Sequence, residues 1–331
     1  MKRVLLVAVP FVVTLAAALL FLGVFDRPPT VPAPETPVPA PSDPTLPPTE
    51  TLVAPEPVHE PAPDVPVVEA PLRVLVLAET PRSFTTWCTQ PWHVSRRIEW
   101  QAWYAAGAVT GVPTSSEGLP GLTGVPTTTD VDGAQVVFVA ALDPARLPAA
   151  FWAHVAERVA GGRLGLLVVP DHLTGRALAD EPSLRSVLPV ASVLPVAPIE
   201  KGGSLLPGVF DTPRPFEVTA EGTRHPVSRI VPFPDWSAKI WGRLTRGKDG
   251  WATKFVSPVE RTAPGARTLV EVVGGTVRWP ALVVSGGERG RAVWAGGLLD
   301  IDWSVYGSDY GIERFRAIAV SWLVWLAPGR N

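Results

Sequence analysis

Cysteine and methionine are almost absent from this sequence, which holds one residue of each in 331. Because Cys88 is the lone thiol, no disulfide can form within the chain, and cysteines cannot build a zinc site. An excess of one charge sign is lacking too, since 29 Lys and Arg stand against 31 Asp and Glu. That balance gives no electrostatic reason to expect nucleic acid as a partner.

Two common catalytic motifs are missing as well. The sequence contains no Gly-rich phosphate loop ending in Lys-Ser/Thr and no Gly-x-Ser-x-Gly elbow. Nucleotide hydrolysis and serine-hydrolase chemistry therefore have no support from motifs. We expect neither a cofactor nor a metal ion.

The first 25 residues predict a transmembrane anchor. Lys2 and Arg3 form a short basic head, and residues 4–25 carry no charged side chain. A helix of this length spans roughly 30 Å, the thickness of a hydrocarbon core. The basic head stays in the cytoplasm, which places the rest of the chain outside, in the periplasm or beyond the cell. A cleaved signal peptide is the alternative, with small residues at 16–18, and it exports the chain equally.

Residues 26–71 form a stalk in which proline recurs every two or three positions. Proline lacks an N–H and fixes φ, so this composition predicts a disordered, polyproline-II-like linker. A spacer is the simpler function for it, and a ligand for a proline-recognising partner is the alternative.

Residues 72–331 have the pattern of a parallel-core α/β domain. Short apolar runs rich in β-branched residues predict buried strands at 73–78, 135–140 and 164–170. An amphipathic helix over 147–160 joins the last two strands, which predicts a right-handed parallel βαβ unit. Another helix is expected over 94–106, where it would bury Trp100 and Trp103 together.

The last third of the chain predicts a hairpin and a closing helix. A strand is expected over 268–273, and the runs 281–285 and 291–296 flank a Gly-rich turn. Residues 312–326 predict a helix whose buried stripe is Ile312, Phe315, Ile318, Trp322 and Leu326. Residues 171–265 have no clear pattern.

The order of these elements is familiar. Its marks are residues 73–77 followed by Pro81-Arg82, the helix-to-strand run 151–169, the His-Pro step within 222–226, and residues 288–291. With these marks the chain resembles the class I glutamine amidotransferase-like superfamily, in the branch found in bacterial membrane proteins that often carry von Willebrand A modules. The resemblance covers residues 73–328 and implies a flavodoxin-like three-layer sandwich.

The resemblance also implies where an active site would lie. Active members use a cysteine nucleophile at an elbow after a central strand, and a histidine and glutamate after a later strand. Here the elbow falls at residues 169–172 without a cysteine, and the later position falls at 299–303 without a histidine. The resemblance therefore predicts the fold together with loss of amidotransferase chemistry, as in a pseudoenzyme.

Four polar residues are candidates for a different chemistry. Asp171 and His172 follow a parallel strand, at the edge where α/β folds place ligands, and Asp300 and Asp302 follow a later strand. Two carboxylates and a histidine suit a divalent cation or acid–base work. The alternative is that these residues only cap helices and close turns.

Four further residues are candidates for binding: Trp87 and Trp92 in a loop, Arg82, and Trp303. Cys88 is interpreted as a structural thiol, with a nucleophile or an intermolecular disulfide as alternatives. Two function classes follow. The first is an extracytoplasmic binding or scaffold module with an envelope protein or glycan partner. The second is a divergent hydrolase acting on an envelope glycan or amide.

Overall fold

A computed structural model describes residues 71–81, 97–110, 112–195, 209–231, 234–245, 252–274, 276–286, 290–297 and 309–329. All of them belong to one compact unit, Val58–Asn331. The predicted anchor and residues 26–70 of the stalk lie outside the described residues. Within the described ranges, no helix combines the length and apolar character needed to cross a bilayer.

The described residues form mainly strands. The strands are β1 Leu72–Ala78, β2 Ile98–Tyr104, β3 Val136–Ala140, β4 Gly165–Val169, β5 Val190–Val193, β6 Val209–Val218, β7 Ala252–Phe255, β8 Val259–Thr262, β9 Arg267–Gly274, β10 Val277–Ser285 and β11 Arg291–Ala295. The helices are α1 Thr128–Gly133, α2 Ala149–Ala160, α3 Thr174–Asp180, α4 Pro234–Thr245 and α5 Asp309–Leu326. Two short 3₁₀ helices cover Pro144–Arg146 and Leu184–Ser186.

One large sheet organises these elements. Its nine strands follow the order β2-β1-β3-β4-β11-β10-β9-β6-β7. The section from β2 to β11 is parallel, and each neighbouring pair from β11 to β7 is antiparallel. Strands β5 and β8 form a separate antiparallel pair. The mixed α/β class and the largely parallel centre predicted from the sequence are confirmed.

The βαβ unit expected in the middle of the chain is present as β3-α2-β4. Every residue of β3 and β4 is buried, as expected for strands covered on both faces. Helix α2 follows Pro148 and ends at Gly161. Its buried side includes Phe151, Val155 and Val159, the face predicted from the helical period.

The sheet carries an apolar core on both faces. In β1, Val74 and Val76 belong to one buried cluster, whereas Leu75 and Leu77 belong to another. This alternation follows from the two-residue period of a strand. Helices α4 and α5 contribute to the first cluster, and α2 and α3 contribute to the second.

The helix expected over residues 94–106 is wrong, because residues 98–104 form the strand β2. This strand pairs in parallel with β1, and the register begins with Leu72 opposite Ile98. Burial alternates along it, so Trp100 lies in the first core while Trp103 packs against the second. A shared helical face for these two tryptophans is therefore excluded.

The C-terminal predictions are confirmed where the structure describes them. Strands β10 and β11 form the expected antiparallel hairpin, and β9 covers the strand predicted at 268–273. Helix α5 buries Ile318, Trp322 and Leu326. The side chains of Ile312 and Phe315 lie outside the description.

The outer side of β2 is covered by a short strip of chain. The amide of Ala102 donates to the carbonyl of Thr114 at 2.7 Å, and the amide of Ser116 donates to the carbonyl of Trp100 at 2.8 Å. The hydroxyl of Ser116 accepts from the amide of Trp100 at 3.1 Å. The strip thus satisfies backbone groups that a sheet edge would otherwise leave unpaired.

Candidate functional site at the carboxyl edge

The carboxyl ends of four parallel strands meet at one edge of the sheet. Neighbouring strands β1, β3, β4 and β11 finish there at Ala78, Ala140, Val169 and Ala295. Open α/β sheets place their ligands at this edge, beyond the strand ends. The residues that follow these strands are therefore candidates for a functional site.

The chain leaves β3 through a strained residue. Ala141 has φ of 46°, and it is the one non-glycine residue with positive φ among those described. Its amide donates to the carbonyl of Val169 at 2.9 Å, which ties the exits of β3 and β4 together. Left-handed backbone at an alanine costs energy and tends to occur where a site must be held in place.

Asp171, at the elbow after β4, closes the start of α3. Its Oδ1 accepts from the amides of Leu173 and Thr174 at 3.0 and 2.9 Å, and from the Thr174 hydroxyl at 2.8 Å. The residue is only 2% exposed. This arrangement is the turn-closing role that the sequence left open as an alternative to catalysis.

His172 lies within this turn, between Asp171 and the amides that donate to it, but its side chain has a different environment. The residue is exposed, and its ring lies 5.3 Å from the ring of Phe255 in an edge-on arrangement of 67°. Asp171 and His172 are thus adjacent in the chain but occupy different environments, one buried and one open to solvent.

Ser257 is a polar residue at this edge that sequence reasoning missed. It is 1% exposed, and its hydroxyl makes no hydrogen bond within the described part of the chain. Its amide donates to the carbonyl of Gly296 after β11, at 2.5 Å. A Cβ built on Gly175 would lie 2.3 Å from the Ser257 hydroxyl, so the missing side chain makes room for that hydroxyl against α3.

No sequence pattern pointed to Ser257. It lies between β7 and β8, in the stretch of chain where strands and turns could not be assigned, and it reaches the edge through tertiary packing. The pair Glu79 and Arg146 was missed for the same reason. Glu79 follows β1 and Arg146 ends the 3₁₀ helix after β3, and their side chains form an ion pair at the same edge.

The remaining predicted site residues lie outside the described residues: Arg82, Trp87, Trp92, Asp300, Asp302 and Trp303. Cys88 lies outside them too. Their predicted roles stay predictions. Among the residues that are described, no three His, Cys, Asp or Glu side chains gather closely enough to hold a metal ion.

Two other histidines have defined partners away from this edge. His154 on α2 contacts Asp132 at 2.9 Å through Nε2, and Arg158 lies 3.1 Å from the same carboxylate oxygen. The hydrogen bond with His154 lowers the pKa of Asp132, with support from the nearby positive charges. His225 is buried, and burial lowers the pKa of its imidazole to about 4, helped by the charge of Arg267.

Comparison with known proteins yields distant likenesses only. The chain matches no protein-family model and no curated protein. Gan42B, a GH42 β-galactosidase from G. stearothermophilus, is 13% identical with a TM-score of 0.39 over 74% of this chain and 29% of its own. A β-galactosidase from Bacillus circulans sp. alkalophilus is 11% identical, with a TM-score of 0.42 over 78% of this chain and 32% of its own.

The carbohydrate deacetylase Agd3 is 12% identical, with a TM-score of 0.40 over 77% of this chain and 32% of its own. The chain therefore spans about a third of the length of each of these proteins. With TM-scores below 0.5, none of the three assigns this chain to a family or an activity.

Proposed function

We propose that this chain is a membrane-anchored binding module, held outside the cytoplasmic membrane on a proline-rich stalk. Residues 1–25 support the anchor through their basic head and uncharged apolar run. The composition of residues 26–71 supports a stalk that keeps the folded part away from the bilayer. The partner is an envelope protein or an envelope glycan.

The arrangement of the parallel strands supports a degenerate glutamine amidotransferase-like domain. The order β2-β1-β3-β4-β11 corresponds to the 2-1-3-4-5 order of flavodoxin-like sheets. Core clusters on both faces fit a sandwich of helices, sheet and helices. In such a fold the elbow after β4 is the position at which an active member would carry its nucleophile.

The environment of Asp171 is the observation that carries the binding function. A nucleophile or general base needs access to its substrate. Asp171 is buried, and its Oδ1 receives three hydrogen bonds from its own turn. A buried side chain that closes its own turn supports a structural role for Asp171, and this favours a binding module over an enzyme that uses Asp171.

The location is tested with alkaline phosphatase fused after residue 331, because that enzyme is active only when exported. We expect activity from the full chain and none from a fusion that begins at Leu72. Fractionation of intact cells checks the same point with the untagged protein. Recovery of the full-length chain in the cytosol would remove the anchor, the stalk and the envelope partner together.

The binding function is tested by capturing partners from membranes with the full chain as bait. We expect one stoichiometric envelope protein or a defined glycan in the eluate. The matched control is the same bait with an untagged copy of the full chain, in the same detergent and in excess, as competitor. If the competitor did not reduce the amount of partner captured, specific binding would be contradicted.

A divergent hydrolase is the second candidate, and Ser257 is the observation that favours it. A buried hydroxyl that finds no hydrogen-bond partner among the described residues is unusual, and this one lies beside the elbow. Turnover of an envelope-type amide or glycan ester by the full chain would support the hydrolase if Ser257→Ala abolished it. Ser192→Ala is the control, since Ser192 is a half-buried hydroxyl on β5 that is hydrogen-bonded to Glu260.

A further inference from the structure

A groove of about 350 Å³ lies at the opposite end of β1 and β2 from the carboxyl edge. Arg73 and Glu99 are the second residues of the two strands, and Gln101 lies two residues further along β2. Leu119, Pro120 and Asp130 of α1 also line the groove. The volume is within the range of small-molecule sites.

The strand register brings three polar side chains onto one face. Arg73 lies opposite Glu99, and Leu75 lies opposite Gln101. Leu75 belongs to the second core, so the polar residues that alternate with the buried ones of β2 are on the same side of the sheet. Helix α1 covers part of this face with Val131 and is only six residues long.

Each polar side chain in the groove is held through one of its polar atoms and has another polar atom available. Arg73 Nε donates to Glu99 Oε2 at 3.1 Å, and Gln101 Nε2 donates to the carbonyl of Pro120 at 2.7 Å. Asp130 Oδ2 accepts from the amide and the hydroxyl of Thr127 at 2.6 and 2.8 Å. Glu99 Oε1, Gln101 Oε1 and Asp130 Oδ1 accept from no described residue.

These groups are therefore oriented before any ligand arrives, which lowers the entropic cost of binding. Three acceptor oxygens call for a ligand that supplies several hydrogen-bond donors. Two carboxylates against one guanidinium disfavour an anion. The side chains of Leu119 and Pro120 offer an apolar wall for C–H groups. A neutral molecule with many hydroxyls and apolar C–H faces satisfies all of these conditions.

We propose that this groove binds a neutral saccharide segment of one or two sugar units. The proposal deepens the function proposed above by naming a glycan site. It rests on that function only in assuming that the protein meets its ligand outside the cytoplasmic membrane. The groove itself is defined by residues that the structure describes, from 73 to 134.

The test is saturation-transfer NMR on the full chain in a detergent that has no sugar headgroup. The probes are cellobiose, maltose and the disaccharide of N-acetylglucosamine, with glucuronic acid and glucosamine as charged comparisons. We expect transfer to at least one neutral disaccharide and none to glucuronic acid. Binding of glucuronic acid, or of glucosamine alone, would overturn the assignment of a neutral ligand. Absence of transfer to every neutral probe would overturn the site.

Two variants locate the signal. Gly133 lines the groove and a Cβ built on it meets nothing within 4 Å, so Gly133→Leu adds bulk at the groove, and Gly242→Leu on α4 is the matched control at an equally open glycine. Glu99→Gln removes one carboxylate, and Glu157→Gln removes another from an exposed pair on α2. We expect the groove variants to weaken binding about tenfold and the controls to leave it unchanged.

Equal binding by Gly133→Leu and the unmodified chain would place the sugar elsewhere and overturn the groove. The two proposals fail separately. An inactive phosphatase fusion with intact disaccharide binding would remove the exported location and keep the site. An active fusion without disaccharide binding would keep the location and remove the site.

Discussion

Arg146 donates two hydrogen bonds to the carboxylate of Glu79, from Nε to Oε2 at 3.2 Å and from Nη2 to Oε1 at 2.5 Å. This fork joins the residue after β1 to the 3₁₀ helix after β3, across the edge at which the parallel strands end. The hydrogen bond with Glu79 raises the pKa of the Arg146 guanidinium. Two contacts in one plane fix the relative position of these loops better than a single contact does.

Replacing Arg146 with lysine should lower the melting temperature by about 1–3 °C, because an ammonium cannot form the planar fork. The loss should shrink at high salt, since both partners are partly exposed. Thermal unfolding at low and high salt measures it. Arg163→Lys is the control, because Arg163 meets Glu157 through a single contact. An equal drop in melting temperature in both variants would mean that the two-contact pair stabilises the fold no more than a single contact does.

Asp171→Ala should destabilise the fold by about 1–3 kcal/mol, because it leaves the amides of Leu173 and Thr174 without their acceptor. Urea unfolding followed by tryptophan fluorescence gives the free energy. Asp171→Asn keeps one acceptor oxygen and should recover part of the loss. Asp143→Ala should cost less, since that exposed carboxylate accepts from the single amide of Ala145. Unchanged stability in Asp171→Ala would return Asp171 to the candidates for chemistry.

His225 should make stability depend on pH between 6.5 and about 4. The unfolded imidazole takes up a proton near 6.5, whereas the buried one does so near 4. Between these values the unfolded state binds more protons, so stability is full above 6.5 and falls as the pH drops. The total loss is about 3 kcal/mol.

The free energy of unfolding measured across this pH range checks the prediction. His225→Asn is the informative variant, because an amide oxygen can replace Nδ1, which accepts from the amide of Val227 at 3.2 Å. The variant should show a flatter curve than the unmodified chain. Parallel curves would mean that another group governs the acid loss.

Two glycines with open surroundings should respond in opposite ways to alanine. A Cβ meets nothing within 4 Å at Gly242 or at Gly265, but Gly265 has φ of +76° while Gly242 lies inside α4. Gly242→Ala should therefore stabilise by about 0.5–1 kcal/mol through a less flexible unfolded chain. Gly265→Ala should destabilise by about 1 kcal/mol, because an L side chain is strained there. Shifts of the same sign in urea unfolding would contradict the explanation from backbone conformation.

The sequence predicts the βαβ unit well because its signals are local. The unit β3-α2-β4 combines two short apolar runs with a helical stripe that starts after Pro148 and stops at Gly161. Strand β2 was missed because the tryptophans at 100 and 103 suggested a helical spacing. Apolar and polar residues alternate from Ile98 onward, which is compatible with a strand. Only the pairing with β1, some 26 residues away in sequence, selects the strand over a helix.

In the antiparallel half, proline hid strand β6 and the first residues of β10. Strand β6 contains Pro213 and Pro215, and β10 contains Pro280, where the pairing with β9 shifts register. Proline removes a ladder donor and argues against a strand in a sequence, although bulges and edges accept it. The carboxyl-edge residue Ser257 and the groove beside Glu99 arise from contacts between distant segments, which no local pattern encodes.

The strip at residues 114–116 limits edge-to-edge pairing between copies of this protein. A bare strand edge templates pairing with strands of other molecules, the first step toward aggregates. Here the outer margin of β2 already has its partner in the same chain. Copies crowded on one surface therefore cannot pair with one another through residues 100–102 of β2.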